Sequence, residues 1–357
     1  DKVFGGYKGG RKGRRSTTFW DLAGGSPDSD INPDLPELRV RGRDLARNEP
    51  VAHGAIETKV TNVVGGGLFP TPSIDWEHLG LTEKEAAAWH AAALREWQIA
   101  EKTLDISGEG DFADMQELAF RAVLEGGDCF AVKHWEKMPG ETYGTKYRLV
   151  EADRCSNPAG KADEQGKMAG GITRDKNGRP VTYHFTKAHP GDVRDAKSRT
   201  WINIPAYDDK NRRLVLHLCP RLRIGQSRGV PDLATVIEPF KQLERYSEAE
   251  IMAAVISAMY TVFIETEAGE GLAPSSPDGQ PSSNENEMKM GSGMIIDLAQ
   301  GEKVNFANPT RPNSNFDPFV TAVYKQIGVA LGLPSDVLLK QFNSSYSASR
   351  AALDTAW

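Results

Sequence analysis

The sequence pattern with the most direct chemical meaning is Gly-Gln-Ser-Arg-Gly at residues 225–229. It fits G-x-S-x-G, the motif that places a nucleophilic serine on a sharp turn between a strand and a helix. Strand-like and helical patterns do flank Ser227, but a serine nucleophile also needs a histidine as its general base. In the fold that carries this motif the histidine follows the serine, whereas all seven histidines of this chain precede Ser227. We therefore interpret 225–229 as a glycine-flanked turn that leads into a helix, and keep a serine hydrolase using Ser227 in another chain order as the alternative.

The other residues of catalytic or metal-binding type do not form a known motif. The chain contains no G-x-x-x-x-G-K-[ST] phosphate loop and no HExxH pair. Its three cysteines are widely spaced, at Cys129, Cys155 and Cys219. An odd, scattered set argues against a zinc site and against a disulfide framework, and it suggests a reducing compartment. Paired aspartates such as Asp28/Asp30 and Asp208/Asp209 lie in turn-rich segments, where aspartate is expected for turn chemistry. The sequence therefore predicts no catalytic residue, no metal site and no cofactor.

Composition places the chain among soluble proteins with an acidic balance. It has 357 residues, of which 39% are apolar and 26% charged, and its net charge is −6. That length is typical of about two domains, or of one body with an extension. The longest nearly uncharged run, 251–264, would cover about 21 Å as a helix, less than the ~30 Å core of a bilayer, so no transmembrane segment is expected. Proteins that hold duplex DNA tightly present a basic face, so an acidic balance favours only loose contact with DNA.

The two ends of the sequence suggest a truncated chain. It begins with Asp1 rather than Met and ends inside a helical pattern at Trp357. Residues 1–40 combine glycines with a basic cluster, and a proline-dotted run follows from Pro27 to Pro36. This composition predicts an extended or mobile arm. The basic cluster suits either a solvated or subunit-wrapping tail or a contact with nucleic acid.

Helices followed by strands are predicted for residues 41–230. The helical segments are expected at 43–47, 51–64, 82–104 and 112–125. A capping box formed by Thr82 and Glu85 begins the third of them. Beyond the helices, apolar residues alternate in short runs separated by Gly, Pro, Asn and Asp, with a hairpin turn at 176–178. Helices that precede an antiparallel sheet predict the α+β class.

The longest helical pattern lies at 230–264, where apolar residues recur at spacings of three and four. At 1.5 Å per residue it would form a rod of about 50 Å. Pro239 lies near its beginning and predicts either a kink or the true start of the helix. The Gly-, Pro- and Ser-rich stretch 265–293 is longer than the loops of compact domains, which indicates a functional or disordered segment. A second helix is predicted at 316–332.

Six stretches of the chain together resemble the portal proteins of lambda-like tailed phages. They are RGRDLARNEPVAHGAIETKVTNVVGGGL, LVEADRCSNP, GQSRGVPDLATVIEPFKQLERYSEAEIMAAVISAMYTVFIETE, LAQGEKVNF, FDPFVTAVYKQIGVALGLPSDVLLKQF and SYSASRAALDTAW. The most specific is the G-L-P-x-x-x-L turn followed by Y-S-x-x-R-A near the end. Together the stretches cover most of residues 41–357. In that family the position matching Ser227 need not be serine, which weakens the hydrolase hypothesis.

The resemblance implies an α+β portal fold with five parts in this chain. Residues 1–40 would be the mobile arm and 41–230 a wing of helices and antiparallel sheet. The stem helices would be 231–264 and 316–332, with a short clip at 265–315 between them, and 333–357 would hold the tunnel loop and the start of the next wing helix. The tunnel loop near DNA would consist of Leu339, Lys340, Gln341, Phe342, Asn343, Ser344 and Ser345. The crown that normally follows would be missing after Trp357.

The same resemblance implies a non-enzymatic virion protein, assembled in the host cytoplasm into a homo-oligomeric ring, usually of twelve subunits, at one capsid vertex. Its partners would be the major capsid protein, the terminase, the head–tail connector and double-stranded DNA that passes through the channel in packaging and ejection. No membrane would be involved. A phage adaptor or scaffold that binds only protein is a further alternative, which the mass of the purified chain would separate from a ring.

Overall fold

The computed structural model describes residues 19, 23–164, 166–258, 262–266, 302–306, 315–342 and 345–356. The chain divides into two compact units. The first comprises Asp1–Phe240 together with Tyr324–Trp357, and the second comprises Lys241–Val323. Among the described helices, no helix is both long and apolar enough to cross a membrane.

The described part of the first unit begins with five α-helices. They are α1 (Pro27–Ile31), α2 (Leu35–Asn48), α3 (Pro50–Val63), α4 (Glu83–Ala100) and α5 (Phe112–Gly126). The expected extended arm is therefore wrong for residues 27–40, which form α1 and the start of α2. The prolines that suggested an arm begin these helices instead, since Pro27 and Pro36 occupy first-turn positions. A proline costs nothing there, because the first N–H groups of a helix have no partner within it.

Side-chain caps fix the beginnings of α4 and α5, as the sequence predicts for α4. The Thr82 hydroxyl accepts a hydrogen bond from the Glu85 N–H at 3.3 Å, and the Glu85 carboxylate accepts one from the Thr82 N–H at 2.8 Å. Asp111 and Asp114 form the same reciprocal pair at the start of α5. At the other end of α5, Gly127 adopts φ +87°, a conformation that favours glycine.

Seven short strands follow. They are β1 (Cys129–Trp135), β2 (Thr145–Glu151), β3 (Met168–Ala169), β4 (Ile172–Arg174), β5 (Pro180–Thr186), β6 (Trp201–Pro205) and β7 (Val215–Leu218). They form two antiparallel sheets, with strand orders β2-β1-β7 and β3-β4-β5-β6. The predicted hairpin joins β4 to β5, where Gly178 adopts φ +78°. The α+β prediction is confirmed.

The core of the first unit contains side chains from both sheets. Phe130 of β1 is fully buried, and its ring lies edge-on to those of Phe185 and Tyr183 at centroid distances of 5.1 and 5.7 Å. Ile172 and Val215 complete the same buried cluster. Truncation of such a phenylalanine to alanine costs about 3–5 kcal/mol, so this cluster is a principal source of stability.

The long helical pattern is interrupted. A 3₁₀ turn covers Asp232–Val236, α6 covers Ile237–Ala258, and a strand, β8, covers Val262–Thr266. The prediction of one rod through residue 264 is therefore wrong, and α6 spans about 33 Å rather than 50 Å. The helix begins at Ile237, so Pro239 lies in its first turn, where its missing N–H costs no hydrogen bond. The β-branched and aromatic residues of 262–266 suit a strand as well as a helix.

In the second unit, β8 pairs with β9 (Glu302–Phe306) in antiparallel register. Tyr246 of α6 contacts two aromatic rings of α7 (Phe316–Leu331), stacking on Phe316 at 5.5 Å and meeting Phe319 edge-on at 4.9 Å. The helix predicted at 316–332 thus ends one residue earlier, before Gly332 at φ +69°. Residues 267–301 and 307–314 of the expected clip lie outside the described residues. The chain continues with α8 (Ser335–Leu338) and α9 (Tyr346–Ala356) in the first unit.

Candidate functional site

The predicted tunnel loop follows α8. Leu339 is half-buried, and Lys340, Gln341, Phe342 and Ser345 are exposed. Asn343 and Ser344 lie outside the described residues. The loop therefore presents one cation, one aromatic ring and polar groups at the surface of the first unit.

Lys340 is held in an uncommon backbone conformation, with φ +53°. Its N–H lies 3.3 Å from the Val337 carbonyl, and the next N–H, of Gln341, donates to the Asp336 carbonyl at 3.0 Å. These bonds close the end of α8, a position where glycine is usual. The hydrogen bond from Arg121 holds the pKa of Glu57 below its usual value, and the charge of Lys340 acts in the same direction. Lys340 is therefore close enough to Glu57 for the two charges to interact.

The G-x-S-x-G turn binds to α1 rather than exposing a nucleophile. Ser227 is 2% exposed, its hydroxyl donates to Asp28 Oδ2 at 2.8 Å, and its N–H donates to Asp28 Oδ1 at 2.7 Å. Arg174 approaches the same hydroxyl at 3.4 Å. The neighbouring Arg223 forms a 2.6 Å ion pair with Asp30. The acceptor of the Ser227 proton is thus a carboxylate of α1, and the turn anchors the helix that the sequence predicted to be an arm.

The next residue, Arg228, is buried at the centre of the first unit. Its Nε and Nη2 donate to the two oxygens of Asp128 at 2.7 and 2.9 Å. Its remaining donors bond to backbone carbonyls: Cys155 at 2.6 Å, Gly170 at 2.9 Å and Ala152 at 2.6 Å. A planar guanidinium suits this arrangement because its donors diverge in fixed directions. Arg228 thereby links the start of β1 to the segments that lead from β2 to β4.

Asp128 has 0% exposure, and N–H donors and positively charged groups from several elements surround its carboxylate. The Gly229 N–H donates to it at 3.1 Å, His217 Nε2 lies 3.2 Å from Oδ2, and Arg39 of α2 lies 3.5 Å from Oδ1. Burial alone would raise the pKa of Asp128, but the charge of Arg228 and the bonds from His217 and Arg228 hold that pKa well below its usual value. The carboxylate therefore stays ionised, and its bonds join α2, β1, β7 and the turn before α6.

Burial also shifts the pKa values of the groups around this ion pair. Burial lowers the pKa of Arg39 to about 10, with repulsion from Arg228 in the same direction. Burial also lowers the pKa of His217, although Asp128 opposes it. A neutral His217 must carry its proton on Nε2 to donate to Asp128, and its ring stacks on Phe130 at 4.4 Å. No local sequence pattern indicates this network, since its partners lie far apart along the chain.

Two groups among the described residues have ligand atoms close enough to hold an ion: Asp128 with His217 and Cys219, and Glu151 with Asp153 and His189. In both, arginine already supplies positive charge. Arg228 binds Asp128, and Arg43 pairs with Asp153 and lies 4.0 Å from Glu151. Burial raises the pKa of Cys219 to about 11, which disfavours the thiolate that a metal would need. Both groups are therefore best described as ion-pair networks.

A cavity of about 770 Å³ lies between the helices and the β2-β1-β7 sheet of the first unit. Its walls are mostly carbon, contributed by α3, α4, α5 and the side chains of Leu216 and Leu218 on β7. Trp97 lines it and packs edge-on to Phe112 at 5.1 Å. A space with such walls suits apolar side chains better than phosphate or a metal ion.

Comparison with known proteins gives one consistent result. Residues 12–357 match the family model described as "Phage portal protein, lambda family". Portal protein B of Escherichia phage lambda is 23% identical over 380 residues, covering 100% of this chain and 70% of that protein. The portal protein of Escherichia phage N15 is 22% identical over 379 residues, covering 100% of this chain and 71% of that protein.

Solved structures with the same fold come from gene transfer agent particles. A chain in the neck of the native particle, computed with C12 symmetry, has a TM-score of 0.54 and 13% identity over 90% of this chain and 74% of that one. A chain in the neck of the empty particle, computed with C6 symmetry, has a TM-score of 0.54 and 13% identity over 90% of this chain and 75% of that one. This chain therefore shares its fold with chains in the necks of these particles.

Proposed function

The chain belongs to the lambda family of phage portal proteins, and we propose that its copies close into a ring at one capsid vertex, around a channel for double-stranded DNA. The observation that carries this proposal is the family match over residues 12–357, which includes both units. A ring of twelve is favoured because the neck of the native particle that contains the same fold was computed with C12 symmetry. Closed rings need heterologous interfaces, which one chain can supply with two different surfaces.

We propose further that the ring conducts DNA without holding it. Each phosphate that a basic side chain neutralises adds salt-dependent affinity, which would impede sliding. The net charge of −6 is consistent with weak contact. In this proposal the terminase, the head–tail connector and the major capsid protein are the protein partners, and the ring assembles in the host cytoplasm.

Residues 339–345 are the proposed point of closest approach to the DNA. Lys340 and Phe342 are exposed there, so both side chains can reach DNA. A single cation beside an apolar ring would contact a duplex only weakly, as sliding requires. Substitution of Lys340 or Asn343 is expected to reduce packaging or DNA retention while rings still form. Unchanged packaging in both variants would remove the tunnel-loop assignment.

No catalytic role is part of the proposal. Ser227 is buried, and its described partners are Asp28 and Arg174 rather than a histidine. A Ser227→Ala variant is expected to lose stability through the broken Asp28 contact and to show no change in ester hydrolysis relative to the parent chain. Hydrolysis that disappears in the variant while its fold persists would contradict this.

The decisive experiment measures the mass of the purified chain and images it by electron microscopy. The expected result is a closed ring with a central pore wide enough for a duplex. A monomer at high concentration, or a closed ring with no pore, would refute the conduit. A protein that binds other virion proteins but never admits DNA would instead support the adaptor alternative.

A further inference from the structure

Charge is unevenly distributed along the first unit. Residues 83–125, from α4 to α5, contain ten Asp and Glu against four Lys and Arg. Residues 174–213, from β4 to the hairpin before β7, contain ten Lys and Arg against five Asp. An acidic chain thus carries one strongly acidic segment and one basic segment. A difference of this kind within one unit indicates two surfaces of opposite electrostatic potential.

Backbone hydrogen bonds connect these two segments through a series of neighbouring strands. The Tyr147 N–H donates to Leu104, Tyr147 pairs with Lys133, and the Lys133 N–H donates to Leu214. The ladder then continues through the two sheets, because the Leu214 N–H donates to Ala206 and the Ala206 N–H to Val181. Six segments follow one another along this path, which curves, because the Ser156 N–H that follows β2 donates to the His184 carbonyl of β5 and Phe130 of β1 contacts Phe185. The acidic loop at 101–111 surrounds Leu104, whereas the basic hairpins at 175–179 and 207–213 adjoin Val181 and Ala206.

The basic end is built from two hairpin turns with the same internal bonds. Asp175 Oδ1 accepts hydrogen bonds from the N–H groups two and four residues later, at 2.9 Å each, and Asp208 Oδ1 does the same at 2.9 and 2.8 Å. Both carboxylates are therefore occupied within their own turns. Tyr207 lies between the hairpins, with the Arg179 guanidinium 3.9 Å from its ring centroid and the Arg213 Nη2 donating to its hydroxyl at 2.9 Å.

These contacts fix the shape of the basic end but leave charge available. Lys176 and Lys210 are exposed at the two hairpin tips, and neither ammonium group has an ion pair or hydrogen bond within the described part of the chain. The hydrogen bond from Arg179 and the bonds and charge of Arg213 lower the pKa of Tyr207, which reflects the positive potential there. We call the surface formed by Lys176, Arg179, Lys210 and Arg213 the basic edge.

The acidic end is similarly exposed. Glu109 is exposed and Glu101 is half-buried, and neither carboxylate forms an ion pair among the described residues. Glu96 is exposed and accepts a hydrogen bond from the Tyr143 hydroxyl. We call the surface formed by Glu96, Glu101 and Glu109 the acidic edge. It lies against the outer side of β2, where the main chain of 104–106 already bonds to Tyr147.

We propose that the acidic edge of one subunit binds the basic edge of the next subunit in the ring. The proposal rests on the proposed ring and identifies the surfaces that close it. A heterologous interface needs two different, complementary surfaces on one subunit, and two edges of opposite charge built from different elements provide them. Duplex DNA could use the basic edge alone, but it would leave the acidic edge without a partner. A second copy accounts for both.

The test reverses charge at positions with no role in the internal contacts. The acidic-edge variant is Glu101→Lys/Glu109→Lys, and the basic-edge variant is Lys176→Glu/Lys210→Glu. Each is purified as the full chain, and its mass distribution is measured by mass photometry and sedimentation at low and at 0.5 M salt. Matched controls reverse exposed charges outside both edges, Glu77→Lys and Lys161→Glu.

Each edge variant alone is expected to lose the ring and remain as subunits, since like charges then face each other. The two variants mixed in equal amounts are expected to recover rings, because each reversed edge then meets an oppositely charged partner in alternation. Recovery also shows that both variants are folded. The controls are expected to form rings like the parent chain.

Three results would overturn the proposal. Rings that persist in both variants, or that fail to return on mixing, would place the subunit contact elsewhere and leave the ring itself intact. A basic-edge variant that forms normal rings but loses affinity for a duplex DNA probe would assign that edge to nucleic acid. Absence of rings in the parent chain would instead refute the proposed function on which this interface depends.

Discussion

Replacement of Arg228 by methionine tests the central ion pair most directly. Methionine keeps much of the length of the side chain but none of its donors. The change leaves Asp128, at 0% exposure, without its two shortest charged bonds, and it leaves the carbonyls of Ala152, Cys155 and Gly170 without this donor. Removal of one partner of a buried pair costs about 3–5 kcal/mol. Because the Gly229 N–H, His217 and Arg39 still face the carboxylate, we expect a loss near the lower limit, about 3 kcal/mol.

A double-mutant cycle separates the pair from the rest of the network. Asp128→Asn alone leaves the Arg228 cation buried and uncompensated, whereas the double variant removes both charges. The double variant is therefore expected to be more stable than the sum of the single losses predicts, by about 2 kcal/mol or more. Arg228→Lys keeps the charge but cannot form the bidentate bond, so its loss is expected to fall between those of the parent and Arg228→Met.

The assay is urea unfolding followed by tryptophan fluorescence at pH 7, in 0.15 M and 1 M salt. A buried pair is screened little, so the loss is expected to be equal in both salts. Arg212→Met is the matched control, since Arg212 pairs with Asp208 at 2.7 Å on the surface, and it is expected to cost less than about 1 kcal/mol. A loss below about 1 kcal/mol for Arg228→Met, or additive single losses, would refute the central role of the pair.

Three further predictions concern the same unit. Burial lowers the pKa of His217, so the stability that this residue contributes is complete above its unfolded pKa of about 6.5 and declines as the pH falls below it. His217→Gln is therefore expected to reduce the loss of thermal stability between pH 7.5 and 5. The control His78→Gln, at an exposed position, is expected to leave that loss unchanged. Gly229→Ala places a Cβ 1.8 Å from the Gly127 carbonyl oxygen and is expected to prevent stable folding. Gly54 lies in α3, and a Cβ added there meets no atom within 4 Å. Gly54→Ala is therefore expected to raise the free energy of unfolding by about 0.5–1 kcal/mol in the same urea titration. Because Lys340 has φ +53°, Lys340→Val is expected to be about 1–2 kcal/mol less stable than Lys340→Gly, and equal stabilities would show that the loop relaxes freely.

Local chemistry predicted much of the fold. The capping box at Thr82 and the hairpin at 176–178 both form, since each depends on residues within a few positions of one another. The end of the long helix was predicted wrongly, because a run of β-branched and aromatic residues after residue 258 fits the helical spacing as well as a strand. The extended-arm prediction failed for 27–40 because prolines at first-turn positions begin helices, and composition alone does not distinguish the two.

Local sequence patterns do not predict the buried network around Arg228 and Asp128. Arg228 and Asp128 are 100 residues apart, and Ser227 and Asp28 are 199 apart. In the sequence, Asp28 resembles any aspartate of a turn, and Arg228 is a variable position of the G-x-S-x-G motif. Only the tertiary fold brings these groups together, so their roles follow from burial and hydrogen-bond geometry.

The match to G-x-S-x-G has a physical explanation in the same contacts. The motif requires glycines because its chain turns sharply and packs closely. The turn at 225–229 has both features but, among the described residues, lacks the catalytic histidine. Gly225 adopts φ +86°, and Gly229 packs so closely on Gly127 that a Cβ at either position would overlap backbone atoms of the other segment. This approach brings the Gly229 N–H within 3.1 Å of Asp128 and sets Arg228 beside the same carboxylate. The glycines of 225–229 therefore allow the close packing that positions the buried ion pair, and the serine between them forms the hydrogen bonds to α1.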